Sequence, residues 1–538
     1  MILPRVTNNQ VKNLNSVKHT VFNQEFRGYN HNLHIASGEY YELANISTDH
    51  YPVIASRMGE VEAAVFSGHP NGLYEYTAGK LMAVFGRLLI VNITEDHAGD
   101  IIEFSPDFLD DSEKSFATIG VYTMIMPDKV IYNSETGILT KVEQRYSGGE
   151  HDGEYLIMQV VPCDIEGKTI DVVEDTDPPA DNTKYWYDTT NNVYKKYSTS
   201  AAQWVQLETP LVKLIPRVST SDSSIVPPDS AGAAAKNALD KVSNYFKTLK
   251  VLDTMSYVPT NDAADDSADW FDYIIYGSGT EDGTGYGYVI LNRDLAAGVE
   301  EFTIRTKCPD LDHIVSLKNR IWGVNNKTHE IFASKLGDPM QWNNYAGIAS
   351  DSYAVSLGDA EEVTAAVAYN NYPHFFTETK MIKIYGDYPS NYQVYSAKVD
   401  GVIKGGADAV IQVEGVLFYV SPIGVMAYDG SLPSFIGQKF APHQLNGKRV
   451  CAGRDGMKYC LSVEGEGVFS YDMKTGLWSK LDEKEYLKTS QLGNAICFLD
   501  GKARLITCFD RQQNNDYITD VADNILTLVG RTEVTILG

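Results

Sequence analysis

Short apolar runs broken by turn residues dominate the chain, and the pattern recurs. Val410-Ile411-Gln412-Val413 leads into a turn at Glu414-Gly415, then Val416-Leu417-Phe418-Tyr419-Val420, a turn at Ser421–Gly424, Val425-Met426-Ala427-Tyr428 and a turn at Asp429-Gly430. Runs rich in β-branched and aromatic residues, bounded by Gly, Pro, Asn, Asp and Ser, read as strands joined by hairpins. The next stretch repeats the plan through Lys458–Val463 and Gly467–Asp472 and ends in Thr475-Gly476-Leu477-Trp478. Similar cores begin near Gly86, Asp128, Asn319, Tyr372, Glu414, Asp455 and Asp500, with one long interval between Asp128 and Asn319. A repeat of roughly 40 to 50 residues, each rich in short strands, is the signature of a propeller blade, because a four-stranded unit buries its faces only against units like itself. The pattern predicts a mainly β chain, a β-propeller of six to eight blades interrupted by an inserted α+β platform-like domain. A pair of β-sandwiches or a β-solenoid also accommodates strands of this kind.

The predicted organisation follows. An extended N-terminal arm with the first strands covers residues 1–60, and blades occupy 61–145. The insertion takes 146–310, blades resume over 311–510, and closing strands fill 511–538. Within the insertion, Asp175–Thr183 and Ser219–Ser230 are polar, proline-bearing linkers. Tyr185-Trp186-Tyr187, a turn at Asn191-Asn192, Val193–Tyr197 and Trp204-Val205 read as an aromatic β-meander over 175–209. Such rings serve either as a stacking platform for sugars or as the core of a domain too small for an aliphatic one, the second being the usual case. Beyond the linker at 219–230, residues 231–250 predict the one convincing helix, with Ser230 as N-cap and Ala235, Leu239, Val242, Phe246 and Leu249 along one face. That stripe packs on its own domain or, in the sharper alternative, Leu239, Val242 and Phe246 contact a neighbouring subunit.

Composition narrows the picture. At 538 residues, 43% apolar and 22% charged, the chain is ordinary globular material and exceeds one simple core. It holds no apolar run of membrane-spanning length, and Met1–Thr7 lacks the basic region and apolar stretch of a leader, which predicts a protein made and folded in a cytoplasm. The cysteines at 163, 308, 451, 460, 497 and 508 form no C-x-x-C pair and read as buried free thiols. The sequons at Asn45, Asn92 and Asn326 carry no weight without secretion. A net charge of −26 opposes any grip on a phosphate backbone. Acidity of this kind suits a conduit through which DNA slides without sticking, although solubility alone accounts for it.

No catalytic residue, cofactor or metal site is assigned. Ser470–Trp478 has the flavour of the Asp-box turn of sialidase propellers, but the step from Asp472 to Gly476 is wrong and a single copy is present, so it reads as a turn. His31 and His34 would chelate a metal only on a helix, and their surroundings read as extended. Gly277–Tyr288 is too irregular for a dinucleotide fingerprint and reads as a mobile loop. Asp110-Asp111 and Asp265-Asp266 sit in polar loops without complementary partners. A paired-carboxylate glycosidase stays open, since such pairs come from distant positions.

Gly38-Glu39-Tyr40 through Asn45-Ile46-Ser47, and Tyr51-Pro52-Val53-Ile54-Ala55-Ser56-Arg57, resemble the N-terminal segment of bacteriophage tail-hub or nozzle proteins, also called packaged-DNA stabilisation proteins. Ile331–Leu336, Gly337-Asp338-Pro339 and Trp342 are similar to that family's blade ending, and the resemblance covers the chain in pieces. It implies a propeller with an inserted platform, assembled as a homohexameric ring that retains or conducts double-stranded DNA at the distal end of the head-to-tail channel. It also implies a virion location and neighbours among portal, adaptor or tail proteins. The expected work is structural and non-enzymatic: a tail or neck component forming a rigid ring around the DNA conduit. The alternative is a carbohydrate-binding or glycan-hydrolysing propeller at the host surface. Tyr51, Pro52, Arg57, Trp342 and Trp478 are expected to be packing residues, both tryptophans burying against blade neighbours. Acids of Asn261–Asp269 and Glu281-Asp282 are the candidate lining of a channel.

Overall fold

The computed structural model describes residues 26–94, 101–220, 224–227, 230–260, 270–295, 297–358, 360–493, 495–510, 519–522, 525–528 and 535–537, with side chains through Thr507. Seven four-stranded antiparallel sheets of blade type lie among them. Blade one is Pro70–Thr77, Lys80–Phe85, Leu88–Ile93 and Ile102–Phe104, and blade two is Ser115–Ile119, Tyr122–Met126, Val130–Asn133 and Ile138–Lys141. Blade three (His313–Leu317, Arg320–Asn325, Glu330–Ala333, Tyr353–Ser356) and blade four (Ala365–Tyr369, Tyr372–Phe376, Lys380–Tyr385, Gln393–Lys398) follow the insertion. Blade five is Ile411–Val413, Val416–Ser421, Gly424–Tyr428 and Ser434–Phe435; blade six is Val450–Asp455, Lys458–Val463, Gly467–Asp472 and Leu477–Asp482. The fold is a β-propeller interrupted by an inserted α+β domain.

Local chemistry sets the hairpins. Asn370 and Asn371 take φ of 47° and 62°, and Glu414 and Gly415 take 45° and 82°, the double left-handed geometry of two-residue turns whose twist matches the strands they join. The strand cores that mark the repeat are second strands in blades three to six but third strands in blades one, two and seven. Both central strands of a blade are buried on two faces and read alike as apolar runs after a tight turn, which explains the uneven spacing.

Blade seven corrects two predicted boundaries. It consists of Lys488–Leu492, Ala495–Leu499 and Arg504–Asp510, completed by Gly59–Val65 running antiparallel to Arg504–Asp510. The closing strand therefore comes from the N-terminal end, not from 511–538, and residues 61–65 belong to the last blade rather than the first. Thr519–Ala522 pairs instead with Ile525–Leu528, and Thr535–Leu537 with Glu42–Ala44. Alternation along a strand reveals its two faces but not its partner, so this long-range pairing leaves no local signal.

The chain forms two compact units, one drawn from residues up to Gly79 and from Asp408 onward, the other from Lys80–Ile93 and Asp100–Ala407. In the first, Cys451, Cys460, Val468, Leu481, Tyr486, Ile496, Phe498 and Ile506 knit blades six and seven. In the second, one cluster joins Ala117, Met124, Met126 and Ile131 of blade two to Leu311, Ile314, Ile321 and Trp342 beyond the insertion. Segments on either side of the inserted domain thus share one core.

The inserted domain enters and leaves at one point, where Arg145–Ser147 pairs with Thr303–Arg305. Its main sheet continues through Thr254–Val258, Phe271–Thr280, Gly287–Asn292, Leu211–Ser219, Glu154–Pro162 and Gly149–His151, with Gly298–Glu300 also paired to Glu154–Pro162. Helix α1, Ala233–Thr248, packs on this sheet and starts at Gly232 rather than Ser230. The free N–H of Gly232 donates to Glu154 Oε2 at 2.9 Å, so a distant carboxylate supplies the negative partner that a helix start favours. Leu239, Val242 and Phe246 are buried with Leu156, Met158, Val212, Val289 and Phe302. They form the core of their own domain, which removes them as subunit contacts.

The glycine-rich stretch is likewise not a loop. Phe271–Thr280 and Gly287–Asn292 form a hairpin with a register shift between Ile275 and Gly277. A Cβ at Gly287 would collide with the Ser243 carbonyl of α1, and one at Gly279 would meet the Tyr288 hydroxyl at 2.7 Å and its ring at 2.8 Å. The glycines let the helix lie close on the sheet. The aromatic subdomain is a four-stranded sheet in which Val172–Asp175 runs parallel to Tyr185–Asp188, so it is not a simple meander. Trp186 is buried and donates through Nε1 to Asp175 O (3.0 Å), while Tyr185 and Tyr194 pack on the core of the inserted domain.

Candidate functional site

The N-terminal arm is fastened to blade six by buried polar groups. Arg57 is 1% exposed. Its Nε donates to Leu481 O (2.7 Å) and Asn45 Oδ1 (3.1 Å), and its Nη1 donates to Met58 O (2.8 Å). Nη2 lies 3.1 Å from Asp482 Oδ2 and 3.5 Å from Glu60 Oε1. Lys484 Nζ completes the cluster, 2.7 Å from Glu60 Oε2 and 3.4 Å from Asp482 Oδ2. Thr48 donates to Asp472 Oδ2 (2.7 Å), Lys458 Nζ meets Asp49 Oδ1 (2.6 Å) and Lys480 Nζ meets Glu42 Oε1 (2.9 Å). Tyr51 and Pro52 are exposed at the tip of the turn that Thr48 and Asp49 hold, which corrects the expectation that they pack.

Burial pushes Glu60 up to about 7, and the neighbouring Asp482 charge adds to the rise. Against its own burial, Asp482 is held below the usual carboxylate range by a hydrogen bond from Glu60 and by Lys484 and Arg57. The pair shares one proton near neutrality. Because the folded state binds that proton more tightly than the unfolded chain, Glu60 contributes stability that is complete below its ordinary value near 4.5 and is lost as pH rises through 7. Asp482 acts oppositely, its contribution disappearing only in stronger acid. The unfolding free energy from denaturant titration should therefore fall between pH 4.5 and 7, by up to about 3 kcal/mol, and Glu60→Gln should flatten that window.

Trp478 donates through Nε1 to Ile436 O (3.0 Å) and stands edge-on to Phe440 at 4.8 Å, between blades five and six. The segment before it is a turn: Asp472 Oδ1 accepts from Lys474 N (2.8 Å) and Asp472 O from Gly476 N (2.8 Å). Trp342 is 2% exposed among residues of blades two and three, and its Nε1 donates to Pro339 O at 2.9 Å.

The inserted domain is clamped to blade three by a second buried cluster. Lys335 Nζ lies 2.6 Å from Asp253 Oδ1, Lys250 N donates to Asp253 Oδ2 (2.8 Å), and Asn344 Nδ2 donates to Leu252 O (3.1 Å). Beside this clamp lies a cleft of about 660 Å³, walled by Lys241, Tyr245 and Thr248 of α1, floored by Tyr122, Asn133 and Thr140 of blade two, and closed by Asp338 and Gln341. Burial raises the Asp338 carboxyl, which accepts from Met340 N at 3.0 Å.

The remaining sequence candidates fall elsewhere. His31 stacks on Tyr41 at 4.0 Å and His34 is exposed in an irregular segment. Asp110 has a partner after all: the buried Lys114 Nζ sits 2.6 Å from Asp110 Oδ1 and 2.8 Å from Asp128 Oδ2. Cys163, Cys308, Cys451, Cys460 and Cys497 are free and buried. Asn261–Asp269, including Asp265-Asp266, lies outside the described residues. Glu281 is held bidentately by Arg217 at 2.6 and 2.7 Å, leaving Asp282 as the exposed acid of that pair. Sequence reasoning missed Lys335 and Asp253, which pair from 82 positions apart, and Lys114, Tyr245 and Gln341, whose burial no local pattern marks.

The chain matches no family model and no curated protein. Among solved structures it is similar to the computationally designed Ika8 protein, at 8% identity and TM-score 0.35, over 84% of this chain and 100% of that one. BamB from Moraxella catarrhalis aligns at 7% identity and TM-score 0.33, over 84% of this chain and 100% of that one. Virginiamycin B lyase from Staphylococcus aureus aligns at 8% identity and TM-score 0.30, over 84% and 99%. The fold assignment rests on the sheet topology, not on these scores.

Proposed function

We infer that the chain is a structural component of a bacteriophage tail or neck, assembling with itself, as a homohexamer, into a ring around the DNA conduit. The observation that carries this reading is the station of the residues that resemble tail-hub proteins. Arg57 anchors the arm under blade six, and Gly337-Asp338-Pro339 with Trp342 forms the turn through which blade three meets blade two and the inserted domain. Residues that fix one part of a subunit to another are what a rigid ring component requires. A net charge of −26 agrees with a lumen through which a duplex passes without being held by counterion release. No helix among the described residues is long and apolar enough to cross a membrane. Sizing with light scattering on the purified protein, alone and with its portal-side neighbour, should give a mass several times 59.6 kDa. A monomer under both conditions would sink the reading.

A further inference from the structure

The cleft beside α1 has the features of a ligand site, and the argument for it is independent of ring assembly. Lys241, Tyr245 and Thr248 recur at helical spacing and make one wall. Its volume of about 660 Å³ lies within the range of small-molecule sites. One lining residue is more than nine-tenths buried yet carries a polar group without a protein partner among the described residues: the hydroxyl of Tyr245, a residue at 7% exposure. Gln341, at 6% exposure, also lines the cleft. The Gln341 backbone is already engaged, its N–H with Asp338 O at 3.4 Å and its carbonyl with Lys335 N at 2.8 Å. A buried hydroxyl such as that of Tyr245 is costly to leave without a partner and is satisfied when a ligand brings a matching donor or acceptor.

Charge defines the ligand further. Lys241 and Lys250 are exposed at the cleft and form no ion pair among the described residues, in a chain that is otherwise strongly acidic. Asp253 is neutralised by Lys335, and Asp338 is engaged by the Met340 N–H. Lys250 lies near enough to Asp338 to act on its carboxyl, so what the cleft offers a ligand is the Lys241 ammonium, a shared Lys250 ammonium, a buried phenol and the Gln341 carboxamide, together with the rings of Tyr122 and Tyr146. Ammonium groups suit a carboxylate, the phenol and carboxamide suit hydroxyls, and aromatic rings suit the C–H faces of a sugar. We propose that this cleft binds an acidic saccharide, a pyranose carrying a carboxylate. The carboxylate sits toward Lys241 and Lys250, and the hydroxyls sit on Gln341 and Tyr245. An uncharged peptide would leave both lysines unused.

Isothermal titration with digalacturonic acid and with N-acetylneuraminic acid, against the neutral sugars digalactose and N-acetylglucosamine, tests the site and separates a uronate from a sialate ligand. At least one acidic sugar should bind at millimolar affinity or better, and both neutral sugars at least tenfold more weakly. The double variant Lys241→Ala, Lys250→Ala alters only exposed side chains and should weaken the acidic sugar at least tenfold. Tyr245→Phe, which removes a single oxygen, should weaken it severalfold. Absence of binding by both acidic sugars, equal binding of acidic and neutral sugars, or affinity indifferent to the lysine pair would overturn the proposal.

Discussion

Arg57→Ala should destabilise the protein by about 3 to 5 kcal/mol, the usual consequence of removing one partner from a buried charge cluster. The guanidinium serves Leu481 O, Asn45, Met58 O, Asp482 and Glu60 together, and its loss leaves Asp482 buried with Lys484 as its remaining cation. Arg57→Lys should recover little, because a single ammonium cannot reproduce a planar fork that reaches two backbone carbonyls and three side chains. The effect should be local before it is global. The segment from Phe26 to Met58 should become sensitive to brief proteolysis at denaturant concentrations where the blades remain protected. A loss under 1 kcal/mol, with the arm still protected, would mean that Thr48, Lys458 and Lys480 hold it without Arg57.

Trp342→Ala should cost a similar amount, about 3 to 5 kcal/mol, through a different route. The ring lies in a cluster with Ala117, Met124 and Met126 on one side of the insertion and Leu311, Ile314 and Ile321 on the other. Its removal opens a cavity shared by segments that are distant in sequence. Hydrogen exchange should therefore rise together in Ser115–Met126 and His313–Asn325, while the core of the inserted domain around Phe246 and Val289 changes little. Faster exchange confined to the second segment would show that blades two and three do not depend on this side chain jointly.

The parts of the fold legible in the sequence are those written locally. The turn at Glu414-Gly415 and the apolar run after it specify a hairpin wherever they occur, and the stripe Leu239, Val242, Phe246 specifies a helix with one buried face. The sequence is silent where two residues become neighbours only through the fold. Nothing near Gly59–Val65 marks it as the outer strand of blade seven, and nothing near Glu154 marks it as the partner of a helix start beyond residue 230. Lys335 and Asp253 are ordinary surface residues by type, and their burial as a pair is decided by how the inserted domain meets blade three. The glycines from Gly277 to Gly287 misled for a related reason. Their purpose is to admit the Ser243 carbonyl and the Tyr288 ring, not to loosen the chain. The cleft was invisible in the same way, since Tyr245 is a common residue made unusual only by the burial of its hydroxyl without a partner among the described residues.

Electron cryomicroscopy of the assembled oligomer tests the central claim most directly. The account predicts a closed ring of this chain around a channel wide enough for a DNA duplex, with carboxylates rather than lysines facing the lumen. A monomeric particle, or a ring whose lumen is too narrow for a duplex or is lined by basic side chains, would contradict it.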